Sequence, residues 1–174
     1  MAGAGARAGC GRVHCMTPVP SLKARALGWL AQREQSRTEL RRKLMAHASA
    51  EDRARRGVDG LEPSLDAPAR VAAVLDWLEA HNYLSQERFI ESRVHARAAR
   101  FGNLRIRQEL AQHDARLSPQ AMEALRDSEL DRAQAVCARK FQNPPADAAE
   151  RSKRARFLAG RGFSPETIRR VLRG

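Results

Sequence analysis

Aromatic residues, lysine and cysteine are scarce in this sequence, and long apolar runs are absent. Aromatics make up 5% of its 174 residues, and β-branched runs are nearly missing, which argues against a core built from strands. No apolar stretch reaches the ~20 residues that span a bilayer. The N-terminus lacks the apolar segment of a secretory signal, so a reduced, cytoplasmic setting with no membrane contact is expected. Cys10, His14 and Cys15 lie close together, but no second ligand pair follows to complete a zinc site. Cys137 falls on an apolar helical face and reads as a small buried hydrophobe. There is no P-loop, no glycine-rich phosphate cradle and no serine or cysteine nucleophile signature. Asp76 and Glu79 share a helix face, yet no metal-ligand partner or histidine follows. His47, His81 and His113 read as helix C-terminal residues, where a partly cationic ring meets the negative end of the dipole. No catalytic residue, metal or cofactor is therefore expected, and the chain is not expected to be an enzyme.

What the sequence does contain favours helices. Leu, Ala, Arg, Glu and Gln dominate, all good helix formers, and 43% of the residues are hydrophobic, enough for a core. The expected fold is all-α. The formal charge is +12, from 32 basic and 20 acidic residues, which points to a polyanionic partner. Only Lys23, Lys43, Lys140 and Lys153 are lysines. An arginine-rich genome produces the same skew, so net charge alone is a weak guide.

Residues 1–20 are Gly- and Ala-rich, end in Thr17-Pro18-Val19-Pro20 and read as a disordered tail. Met16 is an alternative start, since ordered-looking sequence begins at Ser21. The stretch 48–67, with Gly57, Gly60 and Pro63, reads as a loop. Nine helical segments remain. They open at Ser21, at Ser36 with a Ser36-x-x-Glu39 capping box, at 68, at Ser85, after Gly102-Asn103, at Ser118-Pro119, at Glu129, near Asp147 and at Ser164-Pro165. Gly162 reads as a C-cap.

Three stretches look alike: Leu40 to Leu44, Ile106 to Leu110, and Arg154 to Leu158. Each is followed, directly or across the loop, by a turn and a short apolar helix. This predicts a tandem array of three-helix repeats at 21–82, 83–127 and 128–174, elongated and curved, with each repeat burying its apolar face on its neighbours. Charge follows the repeat. Residues 16–47 are net +5, 93–116 net +4 and 151–173 net +7, whereas 71–92 and 117–131 are each net −3. The basic second helices would form a track carrying Arg37, Arg41, Arg42 and Lys43, then Arg105 and Arg107, then Arg151, Lys153, Arg154 and Arg156. Arginine forks suit phosphates and carboxylates. For any single residue a solvated surface charge is the simpler reading.

Aromatics that could stack on bases are few. Trp29, Trp77, Phe89 and Phe163 fall on apolar faces and read as core, leaving Tyr83, at a turn, ambiguous. This argues for recognition of backbone charge, independent of base sequence on single- or double-stranded DNA, or of a protein surface, over base reading. The paired helices in each repeat resemble helix-turn-helix units. The middle one offers only Gln120, Glu123 and Arg126 for base reading, so the likeness is treated as packing.

The segments resemble the bacterial RecX family. The resemblance rests on Ala31-Gln32-Arg33 with Gln35 to Leu44, on Val74 to Leu78 continuing through Asn82-Tyr83-Leu84 to Arg88-Phe89, on Gly102 to Leu110, and on Lys140-Phe141 and Arg156-Phe157-Leu158 to Gly162-Phe163. It covers about 21–174. It implies tandem three-helix repeats and binding to the RecA filament, usually inhibiting its recombinase, ATPase and coprotease activities in DNA repair and the SOS response. A monomer is expected. A helical DNA-binding protein or transcription regulator acting without RecA is the alternative; both bind DNA in a salt-sensitive way, and only the first depends on RecA.

Overall fold

The computed structural model describes residues 20–59 and 66–173. Regular structure among the described residues is entirely helical: α1 (Leu22–Leu30), α2 (Arg37–Asp59), α3 (Ala67–Ala80), α4 (Gln86–Ala98), α5 (Asn103–Ala111), α6 (Pro119–Asp127), α7 (Glu129–Lys140), α8 (Ala148–Gly160) and α9 (Pro165–Arg173). Side-chain caps set most of the starts. The hydroxyls of Ser21, Ser85, Ser118 and Ser164 each accept an amide N–H three residues on, and Asp147 does the same for Glu150. Each satisfies one of the orphan donors of a first turn. Ser36 Oγ likewise accepts from Glu39 N at 3.0 Å. The other half of that capping box does not form, because the Glu39 carboxylate pairs with Arg33 and Lys43 instead.

The loop expected over 48–67 is mostly helix, since α2 runs on to Asp59. Two features override the signal from Gly57. The run from Ala46 to Ala54 is made largely of strong helix formers. Ala48 is also fully buried, and Glu51 and Asp52 both pair with Arg70 of α3, at 2.7 and 2.6 Å. His47 is consequently mid-helix, packed on Trp29 at 5.6 Å, and not at a C-terminus. Residues 60–65, and 1–19 with Cys10, His14 and Cys15, lie outside the described residues.

Three apolar clusters lie in chain order. The first gathers Leu22, Ala26, Leu40, Leu44, Val71, Leu75, Leu78 and Leu84. The second gathers Phe89, Ile106, Leu110, Ala115 and Leu125. The third gathers Ala133, Val136, Cys137, Leu158, Phe163 and Ile168. Leu84, assigned from sequence to the second repeat, packs in the first cluster. Each buried Leu, Ile or Phe contributes about 1.5–3 kcal/mol.

The junctions between clusters are polar. At the first, Ser36 Oγ meets His113 Nδ1 at 3.0 Å, Thr38 donates to Asp114 at 2.9 Å and Arg88 to Glu34 at 2.7 Å. At the second, backbone meets backbone: Gly102 N donates to Arg161 O and Leu104 N to Gly162 O, both at 3.0 Å. A Cβ on Gly102 would lie 2.3 Å from Gly162 O and from Phe163 N and Cα, so only glycine permits this approach. Gly162 has φ +78°, the left-handed conformation a C-cap glycine supplies. Buried Glu129 ties the junction, accepting from Asn103 N at 2.9 Å and from Ser164 and Thr167 hydroxyls at 2.8 and 2.9 Å. Arg132 completes it with bonds to Phe101 O and Asn103 Oδ1.

Candidate nucleic-acid interface

A group of positive charges lies beside this second junction, and α4 starts it. Arg93 and Arg97 are spaced i, i+4, which puts them on one helical side, and Arg100 follows in the turn just past the end of α4. The first turn of α5 then adds Arg105. Phe101 sits among them: the guanidinium carbons of Arg97, Arg100, Arg105 and Arg161 lie 5.5, 5.8, 6.0 and 6.0 Å from its ring centre. These are cation–π distances, so one half-buried ring organises four cations. Glu109 lies between Arg97 and Arg105, at 2.8 and 3.4 Å. The Arg97 pair is a charge contact without hydrogen-bond alignment, since the Glu109 oxygen it faces has no hydrogen-bond partner.

Two concavities open on this face. One, of about 270 Å³, is lined by Arg93, Arg97, Arg105, Glu109 and His113, among others. The other, of about 220 Å³, is lined by Arg100, Val136, Arg139, Lys140, Phe157 and Arg161, with no carboxylate. Its arginines are held in place. Arg161 lies over Phe157 at 4.6 Å and donates to Arg100 O at 3.2 Å, and Arg139 donates to Ala99 O. Forks ordered before a partner arrives lose less entropy on binding it.

His113 extends the face to the first cluster. Burial holds its pKa below the usual histidine value, and the Arg93, Arg33 and Arg42 charges add to this against Glu39. This disfavours the partly cationic ring expected from its helix-end position. Arg93 of α4 and Arg42 of α2 thus both act on this one ring.

The sequence-predicted track is not one surface. Arg105 and Arg107 are two residues apart, which on a helix turns them some 160° from each other. Arg105 faces the cationic concavity, whereas Arg107 lines a groove on another side of α5. Arg154 is buried, donating to Asn143 O and lying 4.9 Å from the Phe141 ring; it holds α8 to the preceding turn and is withdrawn from any surface contact. Arg37 is engaged by Asp76 and Glu79 of α3, which raises its pKa through those hydrogen bonds. Lys43 bonds Gln35 and pairs with Glu39 at 2.7 and 3.0 Å. Arg41, Arg42, Arg107, Arg151, Lys153 and Arg156 are exposed. Arg93, Arg97, Arg100 and Arg161 fall in the basic segments 93–116 and 151–173 but are not among the residues named for the track, and Arg139 and Lys140 lie outside those segments. The spacing of Arg93, Arg97 and Arg100 is a readable signal; the convergence of α7 and α8 on the end of α4 is not.

The aromatics divide as well. Phe89 and Phe163 are buried. Trp29 and Trp77 only flank the first core. Trp77 carries Lys23 Nζ 3.1 Å above its ring and stacks with His81 at 4.1 Å and Tyr83 at 5.5 Å. Among the described residues no helix is long and apolar enough to cross a membrane.

Comparison with known proteins places this architecture. Residues 127–172 match the model of the third three-helix domain of RecX. A regulatory protein RecX of Ralstonia nicotianae is 47% identical over 158 residues, covering 88% of this chain and 87% of that protein. One of Leptothrix cholodnii is 46% identical, covering 90% of each. The crystal structure of RecX from Lactobacillus salivarius superposes with a TM-score of 0.57 at 16% identity, over 87% of this chain and 92% of that one, which supports the fold. The chain belongs to the RecX family of regulatory proteins.

Proposed function

We propose that this chain regulates the RecA recombinase by lying on the RecA–DNA filament, with the cationic face turned to the phosphate backbone, and that its effect is inhibitory. The observation that carries this reading is the face itself: Arg93, Arg97, Arg100, Arg105, Arg139, Lys140 and Arg161 converge from four segments around Phe101 and Phe157. Charge of this density without base-reading side chains suits sequence-independent contact with a polyanion. The three repeats 21–82, 83–127 and 128–174 are, in this reading, successive footholds along one filament, which requires the polar junctions to hold a fixed geometry. The filament would place the protein in the cytoplasm, acting as a monomer and as a regulator without catalysis of its own. The test is RecA ATPase on single-stranded DNA with and without the chain. Suppressed hydrolysis at substoichiometric amounts supports the proposal. Unchanged hydrolysis, with salt-sensitive binding to naked DNA retained, supports a DNA-binding protein that acts without RecA.

A further inference from the structure

We infer that the groove between α5 and α6 is a docking site for an acidic amphipathic helix of a protein partner, separate from the cationic face. Helix α5 has two exposed sides. Arg105, Glu109 and Gln112, spaced i, i+4, i+7, line the cationic concavity. Leu104, Arg107 and Ala111, spaced i, i+3, i+7, line a groove of about 530 Å³. Leu117 and Met122 form its other apolar surface, and Arg107 and Arg116 are its charged residues, with no carboxylate among the lining. Leu104 is 44% exposed and is, with Tyr83, one of two exposed large hydrophobics among the described residues. Leu104, Leu117 and Met122 thus give the groove an apolar surface flanked by two arginines.

Charge selects the occupant. A second copy of this chain brings +12 toward +12, which opposes self-association. The chain's own residues 1–19 carry Arg7 and Arg12 and no carboxylate, so the arginines of the groove repel them too. A helix with one apolar stripe and glutamates beside it satisfies both the Leu104–Leu117–Met122 surface and the two arginines. Leu104, Arg107 and Met122 also line a wider concavity that carries Asp127, Glu129, Asp131 and Glu166 as well as Arg126 and Arg170. The acidic partner is therefore confined to the end away from it, marked by Arg116 and Leu117, with Arg107 at the boundary. Placed beside the cationic face, this groove lets one helix address DNA phosphate on one side and protein on another.

The test uses the full chain and a fluorescein-labelled synthetic helix of about 16 residues, long enough to hold a helix. Its leucines are one helical turn apart and its other positions are mainly glutamate. Anisotropy is compared with a scrambled peptide of the same composition. The striped probe should bind about tenfold or more tightly than the scrambled one, and Leu104→Ser should remove about that factor. Arg107→Gln with Arg116→Gln should weaken binding and flatten its salt dependence. Met122→Gln, on the other wall, repeats the test if Leu104→Ser alters the melt. Equal binding of both peptides, or no effect of either groove variant, overturns the inference. So does self-association by sedimentation that Leu104→Ser abolishes, because a second copy would then be the occupant.

Discussion

Adding one methyl group at Gly102 should unlock the second junction. In Gly102→Ala the new Cβ would sit 2.3 Å from three backbone atoms, Gly162 O and Phe163 N and Cα. Ordinary contact needs more than an ångström beyond that, and backbone cannot rotate away as a side chain tip can. Overpacking costs about 1–3 kcal/mol. Separation of the two turns also breaks Gly102 N to Arg161 O and Leu104 N to Gly162 O, each worth about 0.5–1.5 kcal/mol. The sum is roughly 2–6 kcal/mol, a large share of the 5–15 kcal/mol that holds a typical domain together. The matched control is Gly28→Ala in α1, where nothing lies within 4 Å of the added Cβ; it should be neutral to stabilising by up to about 1 kcal/mol. Hydrogen exchange is the most direct assay. In Gly102→Ala the amides of Gly102 and Leu104 should lose protection while those of α2 and α3 keep theirs. Affinity for RecA-coated DNA should fall as well, since Arg161 and Arg100 face each other across this junction. If both variants exchange and melt like the parent, the close approach is not what couples the second and third clusters.

Other outcomes follow from buried charge. The Glu39 carboxyl is held down at about 2, because hydrogen bonds and charge from Arg33 and Lys43 outweigh the burial that would raise it. A depressed acid contributes stability above its unfolded pKa of about 4.3 and loses it as pH falls. The parent should therefore lose on the order of 2–3 kcal/mol between about pH 4.5 and 2, and Glu39→Gln should start lower and titrate less in urea melts across that window. Arg154→Ala should cost about 1–3 kcal/mol by stripping Asn143 O of its partner, whereas Arg156→Ala, exposed two residues on, should change the melt by under about 0.5 kcal/mol.

The helices are legible in the sequence because their signals are local. Serines precede apolar periodicity at Ser85, Ser118 and Ser164, and all three cap as the spacing predicts. The all-helical fold and the family follow from the same residues. Length escapes the sequence where tertiary packing decides it: α2 outruns its periodic stretch because Arg70, on another helix, pairs with Glu51 and Asp52. The cationic face is half legible. Charge clustering along the chain marks the right segments, yet a one-dimensional count cannot tell Arg105 from Arg107, which point apart, or Arg154 from Arg156, of which only the second reaches solvent. His113 misleads for a similar reason. Its place after α5 suggests a partly cationic ring, but burial first, and then the charges of Arg93, Arg33 and Arg42 against that of Glu39, disfavour one.

The central claim is that position on the cationic face, more than total charge, binds the RecA–DNA filament. The direct measurement is the slope of log affinity against log salt for RecA-coated single-stranded DNA, in two fourfold variants of equal net charge. One replaces Arg93, Arg100, Arg105 and Lys140 with Gln, on the face. The other replaces Arg126, Arg169, Arg170 and Arg173 with Gln, exposed on α6 and α9. Each phosphate that the protein no longer neutralises lowers the slope by about 0.7 on a single strand. The face variant should thus show a slope smaller by close to ~3, and the α6–α9 variant one nearly unchanged. An equal decrease in both would mean that net charge alone drives the association, and that the convergence around Phe101 has no part in it.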